Sequence, residues 1–256
     1  MANTLDPLGA FRLDGKVAIV TGASSGLGAR FARVLSALGA TVVVSARRTD
    51  RIAALAGSLD HADAVACDVS VPGASTELVD TVVSRHGRVD VIVANAGITN
   101  VVPALRETPA QFADVVNVDL VAPFEISQAA VRHMREAKQG GSIVFVASAA
   151  SVSSTVLLPQ AAYVAAKTGL VGLARELALQ WARYGVRVNA LCPGMFPSEM
   201  TVQVVESDDL SARFGAEVAL GRIGREHELD GALAFLASDA SSYMTGQMVV
   251  VDGGGG

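Results

Sequence analysis

Alternation constrains this chain most. Short apolar runs recur at 16–21 (KVAIVT), 41–46 (TVVVSA), 63–67 (DAVAC), 89–94 (VDVIVA), 143–147 (IVFVA), 186–191 (VRVNAL) and 247–251 (QMVVV). Each has the length of a buried strand. Between them lie stretches of helical spacing at 27–38, 50–58, 74–86, 109–135 and 226–237, and a long Ala- and Leu-rich stretch that ends at 184. Strands that alternate with helices pair in parallel through right-handed crossovers. The expected fold is therefore α/β: a doubly wound parallel sheet of about seven strands with helices on both faces. Ligands of such sheets gather beyond the carboxyl ends of the strands.

Composition narrows the partners. The 256 residues suit one large domain or two small ones. No repeat or linker divides them, so a single domain over 1–256 is expected. At 51% hydrophobic and 18% charged, the chain can bury a core and is not disordered. A net charge of -5 with no long basic run argues against nucleic acid. No apolar run reaches the ~18 residues of a membrane helix. The segment MANTLDPLGAFRLDGK lacks the charged-then-apolar pattern of a leader. Cys67 and Cys192 each follow an apolar stretch, which suits buried thiols and a reducing cytoplasm. The four histidines are scattered, so no metal site is expected. The closing GGGG reads as a frayed end.

The first strand runs straight into TGASSGLG, and a helix follows that ends at Gly39. Glycines let a backbone approach a pyrophosphate closely, and a helix N-terminus offers free N–H groups. Gly22, Gly26 and Gly28 thus mark a nucleotide loop, although their spacing is G-x-x-x-G-x-G. At the end of the second strand no acid stands ready for the 2′-hydroxyl of NAD. Arg47 and Arg48 stand there instead, suited to the 2′-phosphate of NADP or else a solvated pair. Asp68, after the third strand, either accepts from an adenine amino group or caps the next helix. Asn95-Ala96-Gly97 ends the fourth strand.

Ser148 sits at the end of the fifth strand, and Tyr163 and Lys167 are four apart on the following helix. Residues i and i+4 share a helix face. A free tyrosine titrates near ~10. An ammonium at ~4 Å, with an effective dielectric of ~20, is worth about 4 kcal/mol, roughly three pKa units. Such a tyrosine can serve as general acid and base at neutral pH. Asn117 lies inside the 109–135 helix, where asparagine is disfavoured. It either bonds backbone or exposes a carbonyl that holds a water. Pro123 is expected to kink that helix. Residues 195–215, after Cys192-Pro193-Gly194, carry no steady period and read as a lid.

In this order the motifs resemble the short-chain dehydrogenase/reductase family over nearly the whole chain. They are Thr21-Gly22-x-x-x-Gly26-x-Gly28, Asp68-Val69, Asn95-Ala96-Gly97, Asn117, Ser148, Tyr163-x-x-x-Lys167, Pro193-Gly194 and Val251-Asp252-Gly253-Gly254. The resemblance implies a Rossmann-type catalytic domain with Asn117, Ser148, Tyr163 and Lys167 catalytic. Tyr163 would give a proton to the nascent alkoxide or take it from the alcohol. Ser148 would orient the substrate oxygen, Lys167 would hold the nicotinamide ribose, and Asn117 would keep a relay water. The implied dinucleotide contacts are Gly22, Ser24, Ser25, Gly26, Leu27, Gly28, Arg47, Arg48, Asp68, Val69, Asn95, Ala96, Gly97, Tyr163, Lys167, Pro193, Gly194, Phe196 and Ser198. Also implied are hydride transfer to the B face and a homo-oligomer, a tetramer or dimer, partly through the helix carrying Ala165, Gly169 and Gly172.

Three departures stand out. Ser148 precedes Tyr163 by 15 positions where about 13 is commoner in the family, so Ser151 is a weaker candidate for the serine's role. Ala94 replaces the first Asn of Asn-Asn-Ala-Gly. Ser198 stands for the usual Thr.

The expected function is an NADP(H)-dependent oxidoreductase, NAD(H) remaining open, that interconverts a small-molecule ketone and a secondary alcohol. A 3-oxoacyl-thioester reductase, a sugar-acid or polyol dehydrogenase and a non-catalytic dinucleotide sensor are the alternatives. Glu199, Glu206, Asp208 and Asp209 beside a single Arg213 disfavour an acidic carrier protein. Val156, Leu157 and Leu158, with Met195, Phe196, Met200, Val202 and Val204, suggest apolar walls and an apolar carbonyl substrate.

Overall fold

The computed structural model describes residues 6–155 and 157–255, apart from the side chains of 203 and 205. Val156, one of the expected apolar wall residues, lies outside them. Seven parallel strands form one sheet in the order β3-β2-β1-β4-β5-β6-β7. They are β1 (Val17–Thr21), β2 (Thr41–Ala46), β3 (Ala62–Ala66), β4 (Val91–Ala94), β5 (Gly141–Val146), β6 (Val186–Pro193) and β7 (Met248–Val251). The order reverses between β1 and β4, and a crevice opens there beyond the strand ends. The fourth strand starts two residues later than its apolar run. Asp90, 4% exposed, is drawn aside to accept from Val17 N (2.9 Å) and to pair with Arg88 (2.6 Å).

Period-two alternation splits the strands between two cores. Ile19, Ile92, Ile143, Phe145 and Val188 pack against α3 (Ala74–His86), α5 (Ala122–Ala137) and α6 (Ala161–Trp181). Val20, Val44, Val93, Val144 and Leu191 pack against α1 (Gly26–Ala37), α2 (Thr49–Ala56) and α9 (Asp230–Ala237). Because both faces are covered, strands such as β1 are buried at every residue.

Three expectations are corrected. The 109–135 stretch is not one kinked helix: α4 (Pro109–Val116) passes into a π-helical turn (Asn117–Val121) before α5. Pro123 falls in the first turn of α5, where its missing N–H costs little. The aperiodic 195–215 segment carries α7 (Val202–Val205) and α8 (Asp208–Ala216), whose Ser207 side chain accepts from Leu210 N. The closing glycines are held as far as Gly255, not frayed, and Gly256 lies outside the described residues. Ala219 N donates to Gly254 O (3.2 Å), Leu220 N to Gly253 O (3.1 Å), and Ser153 Oγ to Gly255 O (3.3 Å). Among the described residues no helix is long and apolar enough to cross a membrane, and no cluster of metal-ligating groups is found.

Candidate active site

A cleft of about 430 Å³ runs along the carboxyl ends of β1–β6. Gly22, Ser24, Ser25, Gly26, Leu27 and Gly28 line it, as do Arg47, Arg48, Asp68, Val69, Asn95, Ala96 and Gly97. So do Ser148, Tyr163, Lys167, Pro193, Gly194, Phe196 and Ser198. The same wall includes Ile98, Val118, Glu199 and Thr201, which the sequence reading had not placed there.

The glycine loop is built for close approach. Gly22 has φ +67°, and a Cβ on it would lie 2.8 Å from Ala96 Cα. Gly28 packs so tightly under Gly22 O that no side chain fits. Asn95 ties the two central strands, donating from Nδ2 to Thr21 O (2.9 Å) while Thr21 Oγ1 accepts from Asn95 N and Ala96 N. Ser25 precedes α1 and makes no side-chain cap bond, which leaves first-turn N–H groups free. Free donors over a glycine cradle fit a pyrophosphate.

At the adenosine end the two arginines diverge. Arg48 donates to Ser24 Oγ (2.7 Å), Ser25 Oγ (2.9 Å) and Glu199 Oε2 (2.8 Å), and Arg51 also pairs with Glu199. Hydrogen bonds from Arg48 and Ser25, aided by Arg51, hold the Glu199 carboxyl down to about 2. Arg47 is exposed and has no ion-pair partner among the described residues. Asp68 Oδ1 accepts from Ser70 Oγ (2.7 Å) and Ser70 N (3.0 Å), which hold its carboxyl below the usual range, Arg47 assisting. Gly73, not Asp68, precedes α3, so the helix-cap alternative for Asp68 falls away.

At the other end stand Ser148, Tyr163 and Lys167. Ser148 Oγ accepts from Ala150 N (3.2 Å), leaving its hydroxyl hydrogen for a carbonyl oxygen in the cleft. Ser151 does not line the cleft, and its hydroxyl is buried in the turn that follows. Lys167, 3% exposed, donates to Val146 O (2.9 Å) and lies 5.6 Å from the centroid of the Tyr163 ring.

Asn117 is corrected. Its Nδ2 donates to Ser70 O (2.9 Å), so its side chain serves the loop after β3 and does not line the cleft. Two residues on, Asp119 Oδ2 lies 3.2 Å from Lys167 Nζ. The π-helical turn that carries both residues gives this place to Asp119. Phe196 lines the cleft but is 4% exposed, its ring packed against Gly224, so it offers little of the expected substrate wall. Val204 is buried as well, whereas Met200 lines the cleft. Burial pushes the Cys67 and Cys192 thiols up to about 11, as inert core cysteines require.

The model of the family described as Enoyl-(Acyl carrier protein) reductase matches residues 22–255. A crystal structure of a short-chain type dehydrogenase/reductase from Mycobacterium marinum superposes with a TM-score of 0.93 at 33% identity, covering 98% of this chain and 99% of that one. The chain belongs to the short-chain dehydrogenase/reductase family. A gluconate 5-dehydrogenase from Burkholderia cenocepacia, solved with NADP and tartrate, is 33% identical with a TM-score of 0.92 and 98% of each chain covered. The 3-oxoacyl-(acyl-carrier-protein) reductase FabG of Escherichia coli K12 is 35% identical over 242 residues, 94% of this chain and 97% of that protein. Like these members of the short-chain dehydrogenase/reductase family, the chain is an alcohol/ketone oxidoreductase that works with NAD(P)(H).

Proposed function

We propose that this chain is a single-domain, NADP(H)-dependent ketoreductase acting on a neutral, largely apolar carbonyl compound, with Tyr163 as general acid and base. When bound, the nicotinamide supplies or accepts the hydride. Tyr163 donates its hydroxyl proton to the substrate oxygen, or takes it back in oxidation. Ser148, whose oxygen already accepts from Ala150 N, donates to that same oxygen and orients it. Lys167, fixed by Val146 O, sits behind Tyr163 and is placed to hold the ribose hydroxyls. Arg47, without a carboxylate of its own, is the cation free to meet a 2′-phosphate. The exposed Leu179 and the open surface at Gly172 on α6 support a homo-oligomer, and buried free thiols support a cytoplasmic setting.

The substrate reading rests on where the charges stand. The cations lining the cleft are Arg47 and Arg48 at the adenosine end and the buried Lys167. Among the described residues no other cation lines it. The loop after Ser148 carries half-buried Leu157 and Leu158, and its Thr155 hydroxyl donates to Glu217 (3.4 Å). These residues lie outside the cleft lining, and a substrate that reached them would set a carboxylate against leucines and an acid, short of partners at about 1–3 kcal/mol or more. Exposed Glu206, Asp208 and Asp209 on the lid repel an acidic carrier protein. The named relatives act on unlike substrates, so the reading rests on the cleft's own chemistry. The test is kcat/KM with NADPH for an apolar cyclic ketone against a keto-sugar acid. Higher efficiency on the ketone is expected, and higher efficiency on the sugar acid would refute the reading.

A further inference from the structure

Asp119 is 0% exposed and sits in the π-helical turn between α4 and α5. Its Oδ1 accepts from Ile98 N (2.8 Å), just past Asn95-Ala96-Gly97. Among the described residues its Oδ2 has no hydrogen-bond donor besides the Lys167 ammonium 3.2 Å away. Gly97 makes that meeting possible: a Cβ there would lie 2.8 Å from Asp119 Oδ2 and 3.3 Å from Lys167 Nζ. Three elements thus converge on one buried ion pair under the catalytic tyrosine.

A buried ion pair is a poor source of stability, because desolvation consumes most of the attraction. A neutral side chain could accept from Ile98 N equally well. What only a carboxylate does here is oppose the charge of Lys167. The groups facing that ammonium are Asp119 from the π-helical turn, Tyr163 from its own helix and Cys192 from β6, with Val146 O accepting from it. Burial lowers the Lys167 pKa, but the charge of Asp119, helped by Tyr163 and Cys192, outweighs it, so the lysine stays protonated. Burial in turn raises the Asp119 carboxyl, against the pull of Lys167.

We infer that Asp119 is a positioning residue: it fixes Lys167 behind Tyr163 and keeps its ammonium charged, so that it sets the pH at which Tyr163 exchanges its proton. An ammonium favours the phenolate, and a buried lysine without a counter-charge gives up its proton and with it that pull. The inference deepens the proposed function and rests on Tyr163 as the proton-transfer group.

The substitution is Asp119→Asn, which keeps the acceptor for Ile98 N and removes the charge. Tyrosinate formation is followed by ultraviolet difference titration, each protein paired with its Tyr163→Phe counterpart to cancel Tyr184 and Tyr243. Without the carboxylate Lys167 holds its proton less well, so ionisation of Tyr163 is expected to move to higher pH by about one unit. The acid limb of kcat/KM for alcohol oxidation should move with it, because the phenolate is the form that accepts a proton. Thermal melting checks folding, and Asp119→Ser serves as a second neutral variant, expected to shift in the same direction. Ionisation of Tyr163 at unchanged or lower pH in either folded neutral variant overturns the inference. The titration needs no substrate, so it separates this inference from the proposed function: a shifted titration in a protein that turns over no carbonyl supports the role of Asp119 and refutes the ketoreductase reading.

Discussion

Cofactor choice is where the two adjacent arginines part company, and Arg47→Ala tests it. Arg48 is spent on Ser24, Ser25 and Glu199, while Arg47 lines the cleft with no ion-pair partner among the described residues. A charge-assisted hydrogen bond to a phosphate contributes about 1.5–3 kcal/mol, and each ~1.4 kcal/mol is tenfold in affinity. Arg47 is exposed, so solvent screening favours the lower end. The expected loss is therefore about tenfold in NADPH affinity. NADH has no 2′-phosphate, and its affinity should stay within about twofold. Arg48→Ala should weaken both cofactors together, because it frees the serines of the pyrophosphate loop and the lid's Glu199. Dissociation constants from cofactor fluorescence titration decide the matter. Equal weakening of NADPH and NADH by Arg47→Ala would show a structural arginine, and wild-type preference for NADH would refute the reasoning outright.

The Glu199 clamp joins the lid to the cofactor loop, so Glu199→Gln should make the 195–215 segment more sensitive to limited proteolysis and speed NADPH release in stopped flow. The clamp should also respond to acid. Glu199 is held at about 2 against an ordinary 4.5, so the clamp is whole above pH 4.5 and fades as the pH falls from there toward 2. Onset of nicking only above pH 4.5 would contradict this sign. The two cysteines, pushed up to about 11 by burial, should react with a thiol reagent at pH ~8 at least about a hundredfold more slowly in the native than in the unfolded protein.

The sheet and the cleft were legible because their signals are local. A buried parallel strand is an apolar run of fixed length, and a glycine that must have positive φ, such as Gly22, announces its turn. Tyr163 and Lys167 were readable because i,i+4 on one uninterrupted helix fixes a shared face. Asn117 and Asp119 were not, because they point about 200° apart on a helix. Only the phase set by the π-helical turn and the packing of α6 decides which faces Lys167. Glu199 reads as one more lid acid until the fold brings it, 151 residues along the chain, to Arg48. Helix α8 escaped because Asp208, Asp209 and Arg213 dilute its apolar stripe, leaving the Ser207 cap as its one local mark. The glycine tail escaped because a glycine bonds only through its own backbone, which no side-chain pattern reveals.

The account stands on the proton that Tyr163 moves, and Tyr163→Phe isolates it by deleting one hydroxyl. The ring that Lys167 underlies remains, and so do the glycine loop and Arg47. Steady-state reduction of an apolar cyclic ketone and NADPH binding, measured on the same preparation, should separate. kcat is expected to fall by ~10² to 10⁴, the usual cost of losing a general acid, with the NADPH dissociation constant nearly unchanged. A Tyr163→Phe enzyme that keeps about a third of wild-type kcat would contradict the assignment of Tyr163 as the proton donor.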